Sequence, residues 1–561
     1  MPLSPFPLSL LYLAASASAS ASALIPPTLP PNTNQSNNAN ANHIFNAIHS
    51  SMRQWGSSLN HNGMSFFLAS VPEGTQLYHG DWRSEPIQGP EWLAFEAEHA
   101  LVFTHPMPHH PPPDEEKPGS GGPRHRPPPP SLQDSQSQQV IGQRRRDRVR
   151  SHAEDEDGFL HTFAAAKELR LLYVDGMSAG KTDNGTMDSQ DRILFRDQLG
   201  EGEGMRDEQK RAELFCQMAE ERWNGRLDGM LRMEAGFEII LCDFEANLEV
   251  LSVNRVRPSA QGDGKSGGDI GKHAGQMWLP AVASRYWKIG GDRVALDYDR
   301  FVTAYDAVYE LDLFPNSNPD PDTDSHTEAD GNGNATAHPR LAHIPSAELE
   351  PIRQDLDALI LNHEASGSPI RTSTNWQAVA DMVVDRYGAR LHYLASGQAP
   401  TLQQLQAEIE DIVTPFIDYD RRNASLEVER CARQFVRRSM PATTVAGAAV
   451  LSVSRSVCTT LLQALDYGDG DDDGHTEYDS IVDRIQGLMG YLGWTTWKDC
   501  RGCGDHEICI IPMWPMGTVD DYNHPQCRDI AKLNGEGPRY WGGRPPRPKP
   551  GPSSGPLHSD L

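Results

Sequence analysis

Leu169-Arg170-Leu171-Leu172-Tyr173-Val174 is an apolar run with one charge in it, closed by Asp175-Gly176. A short apolar run ended by a turn dipeptide predicts a buried strand. Phe237 to Cys242 reads the same way. Upstream, Met64 to Ala69 and Thr75 to Tyr78 read as strands around a Pro72-Glu73-Gly74 turn, and Leu93 to Phe103 as a short strand entering a helix. Ile44, Phe45, Ile48, Met52 and Trp55 fall at helical spacing, and residues 206–223 read as a second helix. Residues 43–310 therefore read as an α+β domain.

Beyond residue 341 the apolar period becomes helical. Ile352, Leu356, Leu359 and Ile360 share a face, as do Trp376, Val379, Ala380, Val383, Tyr387, Leu391 and Leu394. Thr401-x-x-Gln404 has the form of a capping box and opens a third stripe. The expected fold class is α+β: an N-terminal mixed α/β domain with long disordered insertions, then a mainly helical domain (341–493) and a short Cys-rich module (494–530). Segments 24–42, 105–157, 257–275, 315–340 and 536–561 are rich in Pro, Gly, Asn or Asp and are expected to be disordered.

The chain has 561 residues, 50 Lys plus Arg and 77 Asp plus Glu, for a formal charge of −27. That balance excludes nucleic acid as the main partner, because phosphate binding needs clustered positive charge. It also disfavours anionic membrane surfaces. Residues 5–15 form an apolar core of signal-peptide length, and Ala21-Ser22-Ala23 is an A-x-A-like cleavage site. Residues 1–23 thus read as a signal peptide and the protein as secreted. The longest later apolar run, Val445 to Val453, is cut off by Arg455, so no stable membrane insertion is expected.

Eight cysteines fit an oxidising compartment: Cys216, Cys242, Cys431, Cys458, Cys500, Cys503, Cys509 and Cys527. Pairing within each region suggests Cys216–Cys242 and Cys431–Cys458, with the last four joined among themselves. Cys500-x2-Cys503-x5-Cys509 could hold zinc in a reducing cell; with a signal peptide upstream it reads as disulfides, and no metal site is assigned. N-glycosylation sequons stand at Asn34, Asn184, Asn334 and Asn423.

Gly176-Met177-Ser178-Ala179-Gly180 fits the nucleophile elbow of a serine hydrolase, with Ser178 as nucleophile. The elbow needs a helix directly after it, and Lys181-Thr182-Asp183-Asn184-Gly185 is loop chemistry instead. Asp469-x-Asp471-x-Asp473-Gly474 imitates a calcium loop but has Ser480 where a bidentate Glu belongs.

Two resemblances follow. Ser50 to Asn60, Leu169 to Lys181 and Gly493-Trp494-Thr495-Thr496-Trp497 together resemble an uncharacterised family of predicted secreted proteins from filamentous fungi. Gly74-Thr75-Gln76-Leu77-Tyr78-His79-Gly80 is similar to the first conserved strand of ADP-ribosyltransferases. That likeness implies NAD as substrate, bound by Tyr78, His79 and Gly80, with Glu238 as the carboxylate that stabilises the oxocarbenium. The departure is at Leu93-Ala94-Phe95, where the family offers Ser or Tyr. The reading that results is a secreted, disulfide-stabilised protein with an ADP-ribosyltransferase-like domain, active or degenerate. The alternatives are a non-enzymatic extracellular interaction protein and a secreted serine hydrolase. No other cofactor or partner is indicated.

Overall fold

Nine strands form one sheet in the computed structural model, which describes residues 40–104, 158–199 except 183, 208–256, 278–283, 293–314, 338–362, 370, 373–466, 474–514 and 517–530. In chain order they are β1 (Asn62–Val71), β2 (Gln76–Asp81), β3 (Glu91–Ala94), β4 (Gly158–Ala165), β5 (Leu169–Gly176), β6 (Gly229–Met233), β7 (Phe237–Leu241), β8 (Leu248–Val256) and β9 (Ala295–Thr303). The spatial order is β8-β4-β2-β3-β7-β6-β5-β1-β9. All neighbours are antiparallel except β5 and β6.

The expected strands at Met64 to Ala69 and Thr75 to Tyr78 are present, but they do not pair with each other. β1 and β2 stand five positions apart in the sheet. In a flat sheet that is about 24 Å. The five Cα steps from Val71 to Gln76 can cover only about 17 Å. The sheet must therefore curl.

The register shows how. β1 pairs with β5 from Phe66↔Val174 to Val71↔Leu169, and β2 pairs with β4 from Gln76↔Ala164 to Asp81↔Phe159. Five residues forward on one side match five residues back on the other, so both pairings share one register. Hydrogen bonds cross the bend, from Gly74 N to Ala165 O (2.8 Å) and from Ala165 N to Thr75 O (3.0 Å). Residues 66–81 and 159–174 are thus the two arms of one long bent ribbon. Pro72-Glu73-Gly74 marks its bend, and Gly74 takes φ +79°, which suits a residue without a Cβ.

Helices cover the curled sheet: α1 (Ala41–Ser50), α2 (Gln54–Leu59), α3 (Ala97–Leu101) and α4 (Glu208–Glu221), then α5 (Glu350–Leu361), α6 (Trp376–Ala395), α7 (Leu402–Val413), α8 (Ala424–Ala432), α9 (Val445–Leu465) and α10 (Gly474–Leu492). With sheet on one side and helices on the other, β1, β3, β6 and β7 are buried along their whole length. The helical region is not set apart from the sheet. One apolar core runs from Ile44 and Phe45 through the strands to Leu492 and Trp494. α1, read from sequence as part of the α+β domain, docks on the helices: Asn42 and Asn46 donate to Tyr491 O (2.7 Å) and Leu492 O (2.8 Å), and Arg53 grips Asp381 through both nitrogens (2.6 and 2.7 Å).

Ordered residues encroach on two segments expected to be disordered: α1 begins at Ala41, and Arg340 pairs with Asp188 at 3.0 Å. Most of segments 24–42 and 315–340, all of 1–23, 105–157, 257–275 and 536–561, the sequons at Asn34 and Asn334, and the acidic loop at Asp469, Asp471 and Asp473 lie outside the described residues. Among the described residues one helix, α9, is long and apolar enough to cross a bilayer, and 61% of that stretch is buried inside the fold. All eight cysteines are paired: Cys216–Cys242, Cys431–Cys458, Cys500–Cys509 and Cys503–Cys527.

The ribbon makes a prediction about a cut chain. No cysteine precedes Cys216, so no disulfide joins residues 40–104 to the rest. Trypsin cleavage at the Arg144 to Arg150 basic run should leave two pieces that co-elute on gel filtration, held by β1–β5, β1–β9, β2–β4 and β3–β7 pairing. They should part in denaturant without reductant. Separation in native buffer would refute the shared ribbon.

Candidate functional site

Glu238, the carboxylate that the transferase resemblance points to, is the entry point to a buried charged centre. On β7 it lies directly opposite Arg232 of β6 and Ala94 of β3. Arg232 Nε donates to Glu238 Oε1 at 2.7 Å. The Trp92 indole, two residues along β3 on the same face, donates to Glu238 Oε2. The other Arg232 nitrogens reach Gln190 Oε1 (3.2 Å) and Glu208 Oε2 on α4.

Lys181, just beyond β5, extends the centre. Its Nζ donates to Glu234 Oε2 at 3.2 Å, lies 3.7 Å from Glu208 Oε1, and sits 4.8 Å from the Trp514 ring centre. Arg211 pairs with Asp191 at 2.9 Å and lies 3.8 Å from Glu208. The set holds three bases and four acids. Burial pushes the Glu234 carboxyl up to about 8, which favours its protonated form. Burial alone would also raise Glu208; Arg232, Lys181 and Arg211 outweigh it and hold the group down at about 2.

His99 closes one side. Its ring stacks on Trp278 (4.8 Å, 9° between planes) and meets Trp92 edge-on at 4.8 Å. Burial, with help from Lys181, pushes its imidazole down to about 3. Gly236 turns here with φ +133°, and a Cβ on it would lie 2.9 Å from His99 Nδ1.

The centre includes one residue singled out from sequence and excludes the others. Tyr78 pairs with Ala94, and Ala94 with Glu238, so Tyr78 and Glu238 share a sheet face. His79 points to the opposite face, against His161 (6.1 Å) and Phe244 (5.9 Å). Its Nδ1 is hydrogen-bonded to the backbone oxygen of Trp92 at 2.7 Å, and burial pushes its imidazole down to about 4. Gly80 serves packing: a Cβ there would lie 2.0 Å from the Ala100 carbonyl oxygen of α3. Ser178 is fully buried, and its Oγ donates to Val174 O at 2.7 Å. Its carbonyl receives the Gln190 amide at 3.1 Å.

Sequence reasoning passed over Arg232, Glu234, Glu208 and Lys181 as a set. The available signal was the lone charge in Gly229-Met230-Leu231-Arg232-Met233, which matches the lone charge in Phe237-Glu238-Ile239-Ile240-Leu241. Chemically the set is closed: its carboxylates face cations or the Trp92 indole, and every charged side chain but that of the partly exposed Asp191 is at most 7% exposed.

Fold and site thus define a curled-sheet α+β protein with a buried charged centre between sheet and helices. Residues 34–262, which contain eight of the nine strands, match the family described as the YPL277C N-terminal domain. Two relatives from Saccharomyces cerevisiae (strain ATCC 204508 / S288c) match in sequence. Uncharacterized protein YOR389W is 33% identical over 235 residues, covering 38% of this chain and 33% of the relative. Uncharacterized protein YPL277C is 32% identical over 225 residues, covering 38% of this chain and 43% of the relative. The chain therefore spans less than half the length of either. No solved structure matches. The likeness to an uncharacterised family is supported at this level, and neither relative's name speaks of filamentous fungi, of secretion or of ADP-ribosyl transfer.

Proposed function

We propose that this chain is a secreted, disulfide-braced glycoprotein that acts by interaction rather than by catalysis. One observation carries the reading. Trp92 engages both residues that a transferase would need for NAD, its carbonyl taking His79 and its indole N–H taking Glu238. The two side chains lie on opposite faces of the sheet, each at 0% exposure. A nicotinamide-cleaving site needs both in one cleft with the carboxylate aimed at the developing charge. Ser178 is equally committed, since its hydroxyl proton is given to a backbone carbonyl rather than to a histidine. The four disulfides suit an oxidising compartment and support the extracellular part of the reading.

The test is a pair of assays on purified full-length protein. Incubation with NAD should release no nicotinamide above the blank, and a fluorophosphonate probe should not label Ser178. Nicotinamide release abolished by Glu238→Gln would overturn the proposal in favour of a transferase. Labelling lost in Ser178→Ala would overturn it in favour of a hydrolase.

A further inference from the structure

Two described sequons occupy very different places, and the difference selects between them. Asn423 is exposed at the N-cap of α8. Its Oδ1 accepts from Leu426 N at 3.1 Å, and its backbone N–H donates to Glu427 Oε1 at 3.0 Å. Neither bond uses Nδ2, and among the described residues nothing else does. Ser425, which completes the sequon, is exposed as well. Leu426, within the first turn of α8, is 45% exposed, and Tyr419, four residues before the asparagine, is 58% exposed.

Asn184 is built into the fold instead. Its carbonyl accepts from Asn62 Nδ2 at 2.7 Å, and its N–H donates to Thr182 Oγ1 at 3.1 Å. Thr186 of the same sequon is fully buried and gives its hydroxyl proton to Gly180 O. Between them, a Cβ on Gly185 would lie 2.3 Å from Arg340 Nε. The sequon therefore sits in a loop whose backbone is held by Asn62 and Thr182, whose Gly185 abuts Arg340 and whose Thr186 is buried.

We propose that Asn423 carries an N-linked oligosaccharide and that Asn184 does not. The proposal rests on the secreted reading above. The donor is an oligosaccharide joined through a diphosphate to a lipid. Asn423 Nδ2 forms a bond to the anomeric carbon and loses one proton. The anomeric C–O bond breaks, and the lipid diphosphate leaves with its electron pair. The product amide keeps its carbonyl oxygen, so the cap bond to Leu426 N survives the modification.

Mass mapping of protein recovered from the culture medium of a eukaryotic host tests this. Digestion with a peptide N-glycosidase should convert Asn423, and not Asn184, to Asp. Ser425→Ala destroys the sequon while leaving the Asn423 cap, so it should remove the glycan and leave the Tm unchanged. Asn184→Gln should leave the glycan content unchanged. An unmodified Asn423 or an occupied Asn184 in secreted protein would overturn the proposal. Absence of the chain from the medium would instead count against the secreted reading. Residues 24–561 behind a leader of established function would then be mapped in the same way, so that the site geometry is judged separately.

Discussion

Arg232→Met is expected to destabilise the protein by about 3–5 kcal/mol, the cost of leaving buried charge without its partner. Arg232 serves Glu238 and Glu208 at once, and all three side chains are nearly or wholly inaccessible. Methionine fills similar volume but leaves two carboxylates facing a dry interior. Total stabilities of about 5–15 kcal/mol are usual, so much of the folded population is at stake. Glu238→Gln should cost much less, because its amide oxygen can still accept from Trp92 or Arg232. Adding Glu208→Gln and Glu238→Gln to Arg232→Met should recover part of the loss. Urea midpoints would rank the variants. A wild-type midpoint for Arg232→Met would show that the buried centre contributes nothing to folding.

Stability should peak between about pH 6.5 and 7 and fall more steeply on the acid side. Burial holds His61 and His99 down at about 3, His43, His49 and His79 at about 4, and His338 well below its ordinary value. These rings stay neutral in the folded chain while the unfolded chain takes up protons near pH 6.5. Their contribution is complete above that value and is lost as the pH falls toward 4. Four acids work the other way; burial raises Asp191 and Asp297 above their ordinary value, and two others further. Burial raises Asp175 to about 7 and Glu234 to about 8, so the folded chain holds protons that the unfolded chain has released. Their contribution is complete below about pH 4 and declines as the pH rises through 7 and 8. Six histidines outweigh the raised carboxyls below pH 6.5. Thermal melts from pH 4.5 to 8.5 would trace the curve. His99→Phe should flatten its acid limb and Glu234→Gln its alkaline limb; a Tm that rises steadily into acid would contradict the assignment.

Local pattern carried most of the elements. Leu169 to Val174 and Phe237 to Cys242 were legible because strands buried on both faces are simply apolar. The stripe from Trp376 to Leu394 was legible because a helix against a core repeats every 3.6 residues. Thr401 does cap α7, its hydroxyl accepting from Gln404 N at 3.2 Å. β8 escaped because it lies at the sheet edge with both faces largely exposed, so no alternation marks it. β9 escaped because Asp297, Asp299 and Arg300 interrupt it; Asp297 and Arg300 form an ion pair that is local in sequence. The Pro72-Glu73-Gly74 signal was read as a turn between strands, whereas in the fold it bends a strand without reversing it.

The site was half legible for a related reason. Glu238 entered through the transferase resemblance, although it and Arg232 each stand as a lone charge in an apolar strand. Their meeting depends on the register between β6 and β7. The pairing of His79 with Glu238 failed on parity, because one residue along a strand exchanges the two faces of a sheet. No local pattern in β2 or β7 reports which face the other strand will choose.

Thr104 and Gly158 bear on what this fold can carry. A Cβ on Gly158 would fall 1.6 Å from the Thr104 carbonyl oxygen, so the two chain ends that flank residues 105–157 touch. Whatever length of chain leaves at Thr104 returns to the same spot. Doubling such a closed segment costs only about 0.6 kcal/mol in closure entropy. The fold is therefore nearly blind to what is spliced in at this point, and the position works as an insertion port. A reporter domain with neighbouring termini could replace residues 105–157 without disturbing the sheet, and natural lengths of this segment are free to drift.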